Sequence, residues 1–540
     1  MVLLQRLLIY TLILFVASCA SKVRPAGGDK DETPPVALNF SPSLYSTNFN
    51  STEVIIEFDE YVKLEDPFNQ IVVSPIITPN PKFRIKKKSL IIEIPDSLQA
   101  NTTYNINFGN SIVDVHESNV APNFQYVFST GSVIDSLKIS GKLVLAKDNS
   151  PQKESVVMLH KSLNDTVFLS SPPSYIGRTN ELGAFQLKNI SPGRYNLFAI
   201  KEDNSNYMYD RPDELIAFYN TSIVVPDSSS YYLRLFESIP QKVKIIEKQS
   251  AALGKHVIVF NTAVDKALLT IAAVEQETEF RTDLGTRGDT LFVLWKDFSL
   301  EKFTLAVSYD GKSLDSLKIS NAISVKQRGG TRSRTTPKIQ VKTNMAKGPM
   351  LHRHLLLSLS FNNPILTLNN DSISLLADST ALADFQLTLD SVSDFKASSS
   401  QEFEDDVFYM FTFLPGAFKD YYGNTNDTII FLSSLKPERQ YGSIQINLTS
   451  VDLEKDKLLL QVIEGEDKIY RQVKIKDLNT EVSFLEANTY SLRLVNDINE
   501  NGVWDTGDFE NKIQPEYVLN YSAPINVRAN WDMVIDWKIR

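Results

Sequence analysis

The chain has 540 residues, 65 of them acidic and 55 basic, with a formal net charge of −10. This length corresponds to about three to five domains, and the 42% hydrophobic and 22% charged residues exclude a globally disordered chain. The acidic balance argues against nucleic acid as a partner, and the single cysteine excludes a disulfide scaffold and a cysteine-based zinc module.

The N-terminal residues predict export and lipidation. Arg6 precedes an apolar stretch at 7–15 that is too short to span a bilayer. Val16-Ala17-Ser18 then leads into Cys19, the only cysteine of the chain. The pattern resembles the bacterial lipobox, which implies removal of the signal peptide (1–18), acylation of Cys19 with palmitate or a similar chain, and no transmembrane helix in the mature protein. A simple signal peptide or a membrane anchor is the alternative.

A flexible tether is predicted at 19–35, because this stretch is rich in Gly, Pro and charged residues. Its segment Gly27-Gly28-Asp29-Lys30-Asp31-Glu32, followed by Pro34-Pro35, resembles the start of Bacteroidota outer-membrane lipoproteins that carry an N-terminal bacterial Ig-like domain. In that group, an acidic stretch containing Lys near the lipidated cysteine can act as a surface-export signal. The resemblance implies a lipid-anchored outer-membrane protein, at the cell surface rather than on the periplasmic face.

Apolar residues alternate with polar ones along most of the remaining chain. Val54, Ile56 and Phe58 share one face of a predicted strand, as do Tyr490, Leu492 and Leu494. Such short runs, bounded by Asn, Asp, Gly, Ser or Pro, are typical of β-sandwiches. We therefore predict an all-β chain, organised as a tandem array of β-sandwich modules.

The first module, predicted at 33–131, resembles the bacterial Ig-like (SbsA-type) domain. The resemblance rests on Pro34-Pro35, Phe58-Asp59-Glu60, the segment at 101–109 and the final strand at 126–131. Its Asn and acidic residues are interpreted as turn formers rather than ligands, because Asn and Asp tolerate left-handed backbone and form Asx-turns.

The second module, predicted at 134–227, resembles the transthyretin-like, carboxypeptidase-regulatory-like sandwich. Gly141 to Val144 begins it, Asn180 to Phe185 supplies a turn followed by Phe, and Pro192 to Leu197 supplies the matching hairpin strand. Modules of this type are accessory domains without a catalytic group, so the resemblance implies no peptidase activity.

An internal repeat predicts the rest of the array. Tyr195-Asn196-Leu197 stands seven residues before Glu202, and Tyr490-Ser491-Leu492 has the same spacing to Asp497. The pair therefore recurs as an Ig-like module at 338–437 and a transthyretin-like module at 440–540. A further Ig-like module is predicted at 237–325, and a basic linker at 326–338, which we interpret as a solvated hinge, with a lipid-headgroup or acidic-partner contact as the alternative.

The strongest candidate site is a loop in the last module. Its oxygen-bearing residues stand at positions 1, 3, 5, 9 and 12 with Gly502 at position 6, which is the spacing of a Ca²⁺ loop. A polar turn without metal is the alternative. The predicted ligands are Asp497, Asn499, Asn501, the carbonyl of Val503, Asp505 and Asp508.

The equivalent loop of the second module is a weaker candidate. Tyr207 stands where the calcium loop needs glycine, and a β-carbon disfavours the left-handed turn there. The predicted ligands are Glu202, Asn204, Asn206, Asp210 and Asp213. His352 and His354 would share a strand face and could bind a metal, but solvated strand histidines are the more common case.

No motif for hydrolysis, phosphate binding or dinucleotide binding occurs in the sequence, so we predict that the protein is not an enzyme. The favoured function is a lipid-anchored scaffold or accessory subunit of an outer-membrane complex for protein assembly, secretion or uptake, with a β-barrel protein as partner. The alternative is a surface adhesin or glycan-binding lipoprotein.

Overall fold

Short antiparallel strands make up most of this computed structural model, which describes residues 31–122, 124–164, 166–202, 204, 206–211, 213–239, 242–274, 279–285, 288–297, 302–320, 338–345, 350–391 and 393–539. The predicted signal peptide, Cys19, the tether up to residue 30 and the basic linker up to residue 337 lie outside the described residues. The described part contains 43 β-strands and two four-residue α-helices. None of its helices is both long and hydrophobic enough to cross a membrane. The prediction of an all-β chain of tandem sandwiches is confirmed.

The first module is an Ig-like sandwich. Its elements are β1 (Ala37–Ser41), β2 (Glu53–Phe58), β3 (Val62–Leu64), α1 (Pro67–Gln70), β4 (Val72–Ser74), β5 (Lys82–Lys86), β6 (Ser89–Glu93), β7 (Thr103–Asn107), β8 (Ile112–Asp114) and β9 (Gln125–Ser129). The sheets have the orders β1-β2-β6-β5, β4-β7-β9 and β3-β8. Val54, Ile56 and Phe58 face the core on alternate positions of β2, as the sequence pattern predicts.

The second module has one larger sheet of eight strands. Its elements are β10 (Leu137–Leu145), β11 (Val156–His160), α2 (Val167–Ser170), β12 (Tyr175–Arg178), β13 (Ala184–Ile190), β14 (Gly193–Lys201), β15 (Leu215–Phe218), β16 (Ile223–Val225) and β17 (Ser230–Glu237). The strand order is β12-β11-β14-β15-β17-β10-β13, and β16 also pairs with β14. The predicted boundary at 227 is wrong, because β17 pairs in parallel with β10 and completes this sheet.

The third module follows from residue 245 rather than 237. Its strands are β18 (Ile245–Ala252), β19 (Lys255–Phe260), β20 (Leu269–Ala273), β21 (Phe280–Leu284), β22 (Thr290–Trp295), β23 (Lys302–Tyr309) and β24 (Lys312–Ser320). They form the sheets β18-β19-β22-β21 and β20-β23-β24, and the fully buried Trp295 lies between them in the core.

The fourth and fifth modules repeat the first two. The fourth contains β25 (Val341–Thr343), β26 (Met350–Leu351), β27 (Ser358–Phe361), β28 (Ile365–Leu368), β29 (Ile373–Ala377), β30 (Thr380–Ala381), β31 (Thr388–Leu389), β32 (Lys396–Ser398), β33 (Phe408–Phe413), β34 (Phe418–Asp420) and β35 (Ile429–Leu435), with 3-10 turns at Asn370–Ser372 and Glu438–Gln440. The fifth contains β36 (Tyr441–Thr449), β37 (Leu458–Glu464), β38 (Lys468–Lys474), β39 (Asn479–Glu486), β40 (Asn488–Asn496), β41 (Val518–Asn520), β42 (Ile525–Val527) and β43 (Asp532–Lys538).

Strand pairing shows the repeat directly. In the fifth module β36 pairs in parallel with β43, as β10 pairs with β17 in the second. Likewise β40 pairs with both β41 and β42, as β14 pairs with β15 and β16. Tyr195 and Tyr490 are buried at equivalent points, and each hydroxyl donates to the carbonyl four residues earlier, at Ser191 (2.8 Å) and Glu486 (3.1 Å).

A buried aromatic residue followed by Asp or Asn recurs at the end of one strand in the first, third and fourth modules. The aromatic ring enters the core, and the next side chain holds the start of the module's first strand by accepting a backbone hydrogen bond. The three bonds are Val36 N to Asp59 Oδ1 (2.9 Å), Lys244 N to Asn261 Oδ1 (2.7 Å) and Gln340 N to Asn362 Oδ1 (2.8 Å). These residues serve the fold, as their interpretation as turn formers implied.

The second and fifth modules pack against each other, although their contact residues are far apart in the sequence. Phe509 is 5% exposed and lies in one cluster with Phe168, Phe198 and Phe218 of the second module. Its ring centroid is 5.7 Å from those of Phe168 and Phe218. We call this arrangement the Phe509 contact. Four hydrogen bonds flank it: Phe509 N to Ser238 Oγ (2.9 Å), Thr506 Oγ1 to Glu237 O (2.6 Å), Ile239 N to Gly507 O (3.1 Å) and Gln514 Nε2 to Phe218 O (2.9 Å).

The other module junctions also have direct contacts. They include Ile176 N to Ser74 Oγ (3.0 Å) between the first and second modules, Tyr422 OH to Gly254 O (2.8 Å) between the third and fourth, and the ion pair of Lys436 with Glu486 between the fourth and fifth. The described chain is therefore folded back on itself, with its second and last modules in contact.

Candidate metal centres

The C-terminal candidate loop begins where β40 ends. Asp497 is 3% exposed, and its carboxylate accepts hydrogen bonds from the backbone N–H groups of Asn501 (3.0 Å) and Gly502 (2.9 Å). Gly502 has a φ of 80°, the left-handed conformation for which glycine is favoured. The first and sixth positions of the predicted calcium loop therefore form the tight turn that the spacing requires.

The amides of this loop converge on one carboxylate oxygen. The side-chain amides of Asn499 and Asn501 donate to Asp505 Oδ2 at 2.6 and 2.8 Å, and Asn501 Oδ1 accepts from Val503 N at 2.9 Å. The structure thus brings the predicted residues at positions 1, 3, 5 and 9 together. Val503 lies at position 7 of the turn, and its side chain is exposed.

Asp508 does not join this group, which corrects the prediction for position 12. Its carboxylate accepts from the backbone N–H (3.1 Å) and side-chain amide (2.8 Å) of Asn511, inside a separate turn. That turn is closed by a backbone bridge between Asp508 and Ile513, and it directs the chain toward the Phe509 contact.

Glu516 takes the closing position that the spacing assigned to Asp508. Its carboxylate is 6% exposed and accepts from Ile498 N (2.8 Å) and Asp505 N (3.1 Å), linking both ends of the loop. Burial raises the pKa of Glu516, and the charges of Asp505 and Asp497 raise it further. Sequence reasoning missed this residue because it lies beyond the second turn, outside any contiguous twelve-residue motif.

The N-terminal candidate loop has the same internal geometry. The carboxylate of Glu202 accepts from Asn206 N (3.1 Å) and Tyr207 N (3.0 Å). The amides of Asn204 and Asn206 donate to Asp210, at 3.3 and 2.6 Å. The loop therefore brings together the predicted residues Glu202, Asn204, Asn206 and Asp210.

Tyr207 adopts the left-handed conformation that its β-carbon disfavours. Its φ is 62°, at a cost of roughly 1–2 kcal/mol relative to glycine. Its side chain packs against the aromatic cluster of the Phe509 contact, and this burial offsets the strain. The turn therefore forms without glycine, contrary to what the sequence argument implied.

Asp213 lies outside the N-terminal loop, a second correction. Its carboxylate is exposed and accepts from Arg211, at 3.1 Å from Nε and 2.5 Å from Nη2. The neighbouring Glu214 is 3% exposed, and its Oε2 accepts from Asp210 N (3.2 Å) and Arg211 N (3.1 Å). Glu214 is thus the counterpart of Glu516.

The two loops are similar in chemistry, because each contains three carboxylate side chains and two asparagine amides. Hard cations such as Ca²⁺ take six to eight oxygen ligands, and carboxylate, amide and main-chain oxygens are the donors available here. Among the described residues, no three side chains drawn from His, Cys, Asp and Glu are grouped so that they could hold a metal by themselves. The amide oxygens of the Asn residues are therefore needed in either loop.

The two histidines form no strand pair. His352 and His354 follow β26 in a turn, with ring centroids 5.4 Å apart. Burial lowers the pKa of both, that of His354 to about 4. The nearby charges include Lys436, Arg471 and Glu486, so the pair lies at the junction of the fourth and fifth modules.

A polar cleft of about 510 Å³ lies between the first and second modules. Its lining residues include Asn69, Gln70, Asn105, Asn107, Gln125 and Arg178. Asn105 is 6% exposed, and its Oδ1 has no hydrogen-bond partner among the described residues. Sequence reasoning did not find this cleft, because its side chains come from two modules.

Residues 31–130 match the family model described as a bacterial Ig-like domain, so the first module is a domain of this type. No curated protein matches the sequence.

Among solved structures, similar chains include the S-layer protein fragment rSbsC(31-844), with 9% identity, 86% of this chain and 65% of that chain covered, and a TM-score of 0.14. The major pilin subunit BcpA of Bacillus cereus has 8% identity, with 75% and 99% covered and a TM-score of 0.14. The Bacteroides ovatus protein SGBP-B, solved with a mixed-linkage heptasaccharide, has 10% identity, with 73% and 92% covered and a TM-score of 0.18. The chain spans less than two thirds of the SbsC fragment. With these scores, we draw the domain type from the family match alone.

Proposed function

We propose that the protein is a non-catalytic, lipid-anchored scaffold, an accessory subunit of an outer-membrane complex at the cell surface. The observation that carries this proposal is the Phe509 contact, which joins the second module to the last. A chain closed in this way holds its modules at fixed positions, as a brace or cover for a membrane protein requires. A flexible string of independent domains would not need the contact.

The polar bonds around the contact support a fixed arrangement. Arg493 is 5% exposed and donates from the fifth module to the carbonyl of Lys147 in the second, at 3.0 Å. The same guanidinium donates to Asp467 (3.2 Å), which also pairs with Lys147. Within its own module Arg493 also donates from Nε to Gln461 Oε1 (2.8 Å). Separation of the modules would break its bond to the Lys147 carbonyl and the ion pair of Lys147 with Asp467, and would leave a buried guanidinium donor without its partner.

The direct test is purification of the tagged protein from detergent-solubilised outer membranes. We expect a β-barrel membrane protein to co-purify in a fixed ratio, because a scaffold subunit is a permanent component of its complex. The Cys19→Ala variant, which should lack the lipid anchor, serves as the control and should lose the partner. Recovery of the protein without any membrane partner from the solubilised outer membranes would contradict the proposal.

A glycan-binding surface protein is the second candidate, favoured by the polar cleft between the first two modules. Amide side chains and a buried, unpaired Asn105 oxygen suit sugar hydroxyl groups, which donate and accept hydrogen bonds. Binding on a glycan array that is lost in Asn105→Ala, without a stoichiometric membrane partner, would favour this function over the scaffold.

A further inference from the structure

We infer that described side chains between β14 and β15 form a divalent-cation site of the Ca²⁺ type, closed by Glu214. The ligand set is Glu202, Asn204, Asn206, Asp210 and Glu214. This assignment goes beyond the scaffold function and does not depend on it. It differs from the sequence-based ligand set at the closing residue, where Glu214 replaces Asp213.

The observation that carries the inference is an unsatisfied carboxylate oxygen. Glu214 is only 3% exposed, and its Oε1 has no hydrogen-bond partner among the described residues. A buried polar atom without a partner costs free energy, so native structures rarely retain one without a reason. A cation supplies the partner that Oε1 lacks.

The neighbouring charges identify the missing partner as positive. The carboxylates of Glu202 and Asp210 flank Glu214, and burial together with this repulsion raises the pKa of both Glu202 and Glu214. The Arg211 guanidinium pairs with the exposed Asp213. Its charge partly offsets the rise in the pKa of Glu214, but it donates no hydrogen bond to Oε1. A bound cation would offset the repulsion of Glu202 by Glu214 and of Glu214 by Asp210.

The donor chemistry selects the class of cation. All candidate side-chain ligands are oxygens, which suit hard cations, and a mixture of carboxylates and amides suits Ca²⁺ better than the strictly octahedral Mg²⁺. In the structure Asn204 and Asn206 turn their amide nitrogens toward Asp210. Rotation of each amide by half a turn would present its oxygen instead. For Asn206 this rotation would break the hydrogen bond that its Oδ1 accepts from Met208 N (2.8 Å).

The site is also placed to influence the module contact. Tyr207, held by Glu202, and Tyr209 both pack into the cluster around Phe509, and the ring centroids of Tyr209 and Phe509 are 5.8 Å apart. A cation that orders this loop should therefore also order the aromatic wall that receives Phe509.

The test is counting ions bound to the full mature protein by native mass spectrometry and calorimetric titration, after EDTA treatment and addition of CaCl₂. Glu214→Gln keeps the shape and hydrogen-bond acceptor while removing the charge. We expect it to bind one calcium ion fewer than the wild type, or to weaken that ion's affinity at least tenfold. Asp213→Asn, the adjacent exposed carboxylate, is the matched control and should bind as many ions as the wild type.

Equal stoichiometry and affinity in the wild type and Glu214→Gln would overturn the inference, as would loss of the ion in Asp213→Asn alone. Asp210→Asn is the second variant and should lose the same ion if Glu214→Gln folds poorly. Because the count is made on purified protein, its result is independent of whether a membrane partner exists.

Discussion

Gly507 lies where the fifth module packs closely against Phe236 of the second. A β-carbon at this position would lie 2.6 Å from Cε2 of Phe236 and 2.8 Å from the carbonyl oxygen of Ile513, closer than atoms tolerate. The residue is therefore glycine for steric reasons, two positions before Phe509. Single residues of this kind hold the module contact together.

At the residue scale, we expect Phe509→Ala to destabilise the module contact. Removal of a buried phenylalanine costs about 3–5 kcal/mol in a packed core, and here the cost falls on the contact between modules. Thermal unfolding should show an earlier, separate transition for the fifth module. Phe408→Ala, at a 70% exposed phenylalanine, is the control and should unfold like the wild type; equal curves for both variants would contradict the account.

His160 gives a second expectation at this scale, for the pH dependence of stability. It is 1% exposed, its ring lies against Phe168 and Phe198, and burial lowers its pKa to about 4, below the value of about 6.5 in an unfolded chain. The unfolded state therefore binds more protons, so His160 costs nothing above pH 6.5 and destabilises the fold as the pH falls from 6.5 toward 4.

Full protonation of His160 would lower the free energy of unfolding by roughly 3 kcal/mol. Denaturant unfolding at pH 7 and pH 4.5 should show that His160→Leu reduces this acid-dependent loss. The same loss of stability in the variant and in the wild type would show that the acid sensitivity arises elsewhere.

At the scale of elements, the two acidic loops show what the sequence can and cannot reveal. Alternating residues predict the strands, as in β2 and β40, because side chains on a strand face opposite sides. The spacing of Asp497, Asn499, Asn501 and Asp505 likewise places four groups in one turn. The closing residues Glu214 and Glu516 lie four and eleven residues after the last of these groups, and no fixed motif covers such a variable distance.

For the C-terminal loop, we expect calcium to raise the melting temperature of the full protein. At a free Ca²⁺ concentration of about 100 times Kd, binding adds about 2.7 kcal/mol to the free energy of unfolding. The double variant Asp497→Ala, Asp505→Ala should lose the shift, and Glu516→Gln should reduce it. Asp508→Asn should keep it, because Asp508 bonds to Asn511 in a separate turn. If the wild type melts at the same temperature in EDTA and in millimolar calcium, this loop is a polar turn that binds no metal.

At the scale of the whole molecule, sequence patterns locate the modules but not their arrangement. The repeated segments around Tyr195 and Tyr490 predict two related modules, yet no local sequence pattern indicates that these modules are in contact. The contact between Phe509 and Ser238 joins residues 271 positions apart, and the two sides share no periodic pattern. Long-range contacts of this kind depend on shape rather than on sequence spacing.

The lipid anchor is also tested at this scale. Mass spectrometry of the mature N-terminus should find an acylated Cys19, and Cys19→Ala should accumulate as the unprocessed precursor. Protease treatment of intact cells should remove the modules if they face outward. An unmodified terminus at another residue would contradict the anchor, and complete protection from protease would place the protein on the periplasmic face.

Zero-length carbodiimide cross-linking followed by peptide mass spectrometry can show whether the second and fifth modules are held together. Lys147 and Asp467 form an ion pair across the contact, so we expect an amide bond between them within a single chain, and its loss in Phe509→Ala. The pair of Lys474 with Glu500 inside the fifth module is the internal control. A cross-link at the control pair without one between Lys147 and Asp467 would contradict the folded-back arrangement.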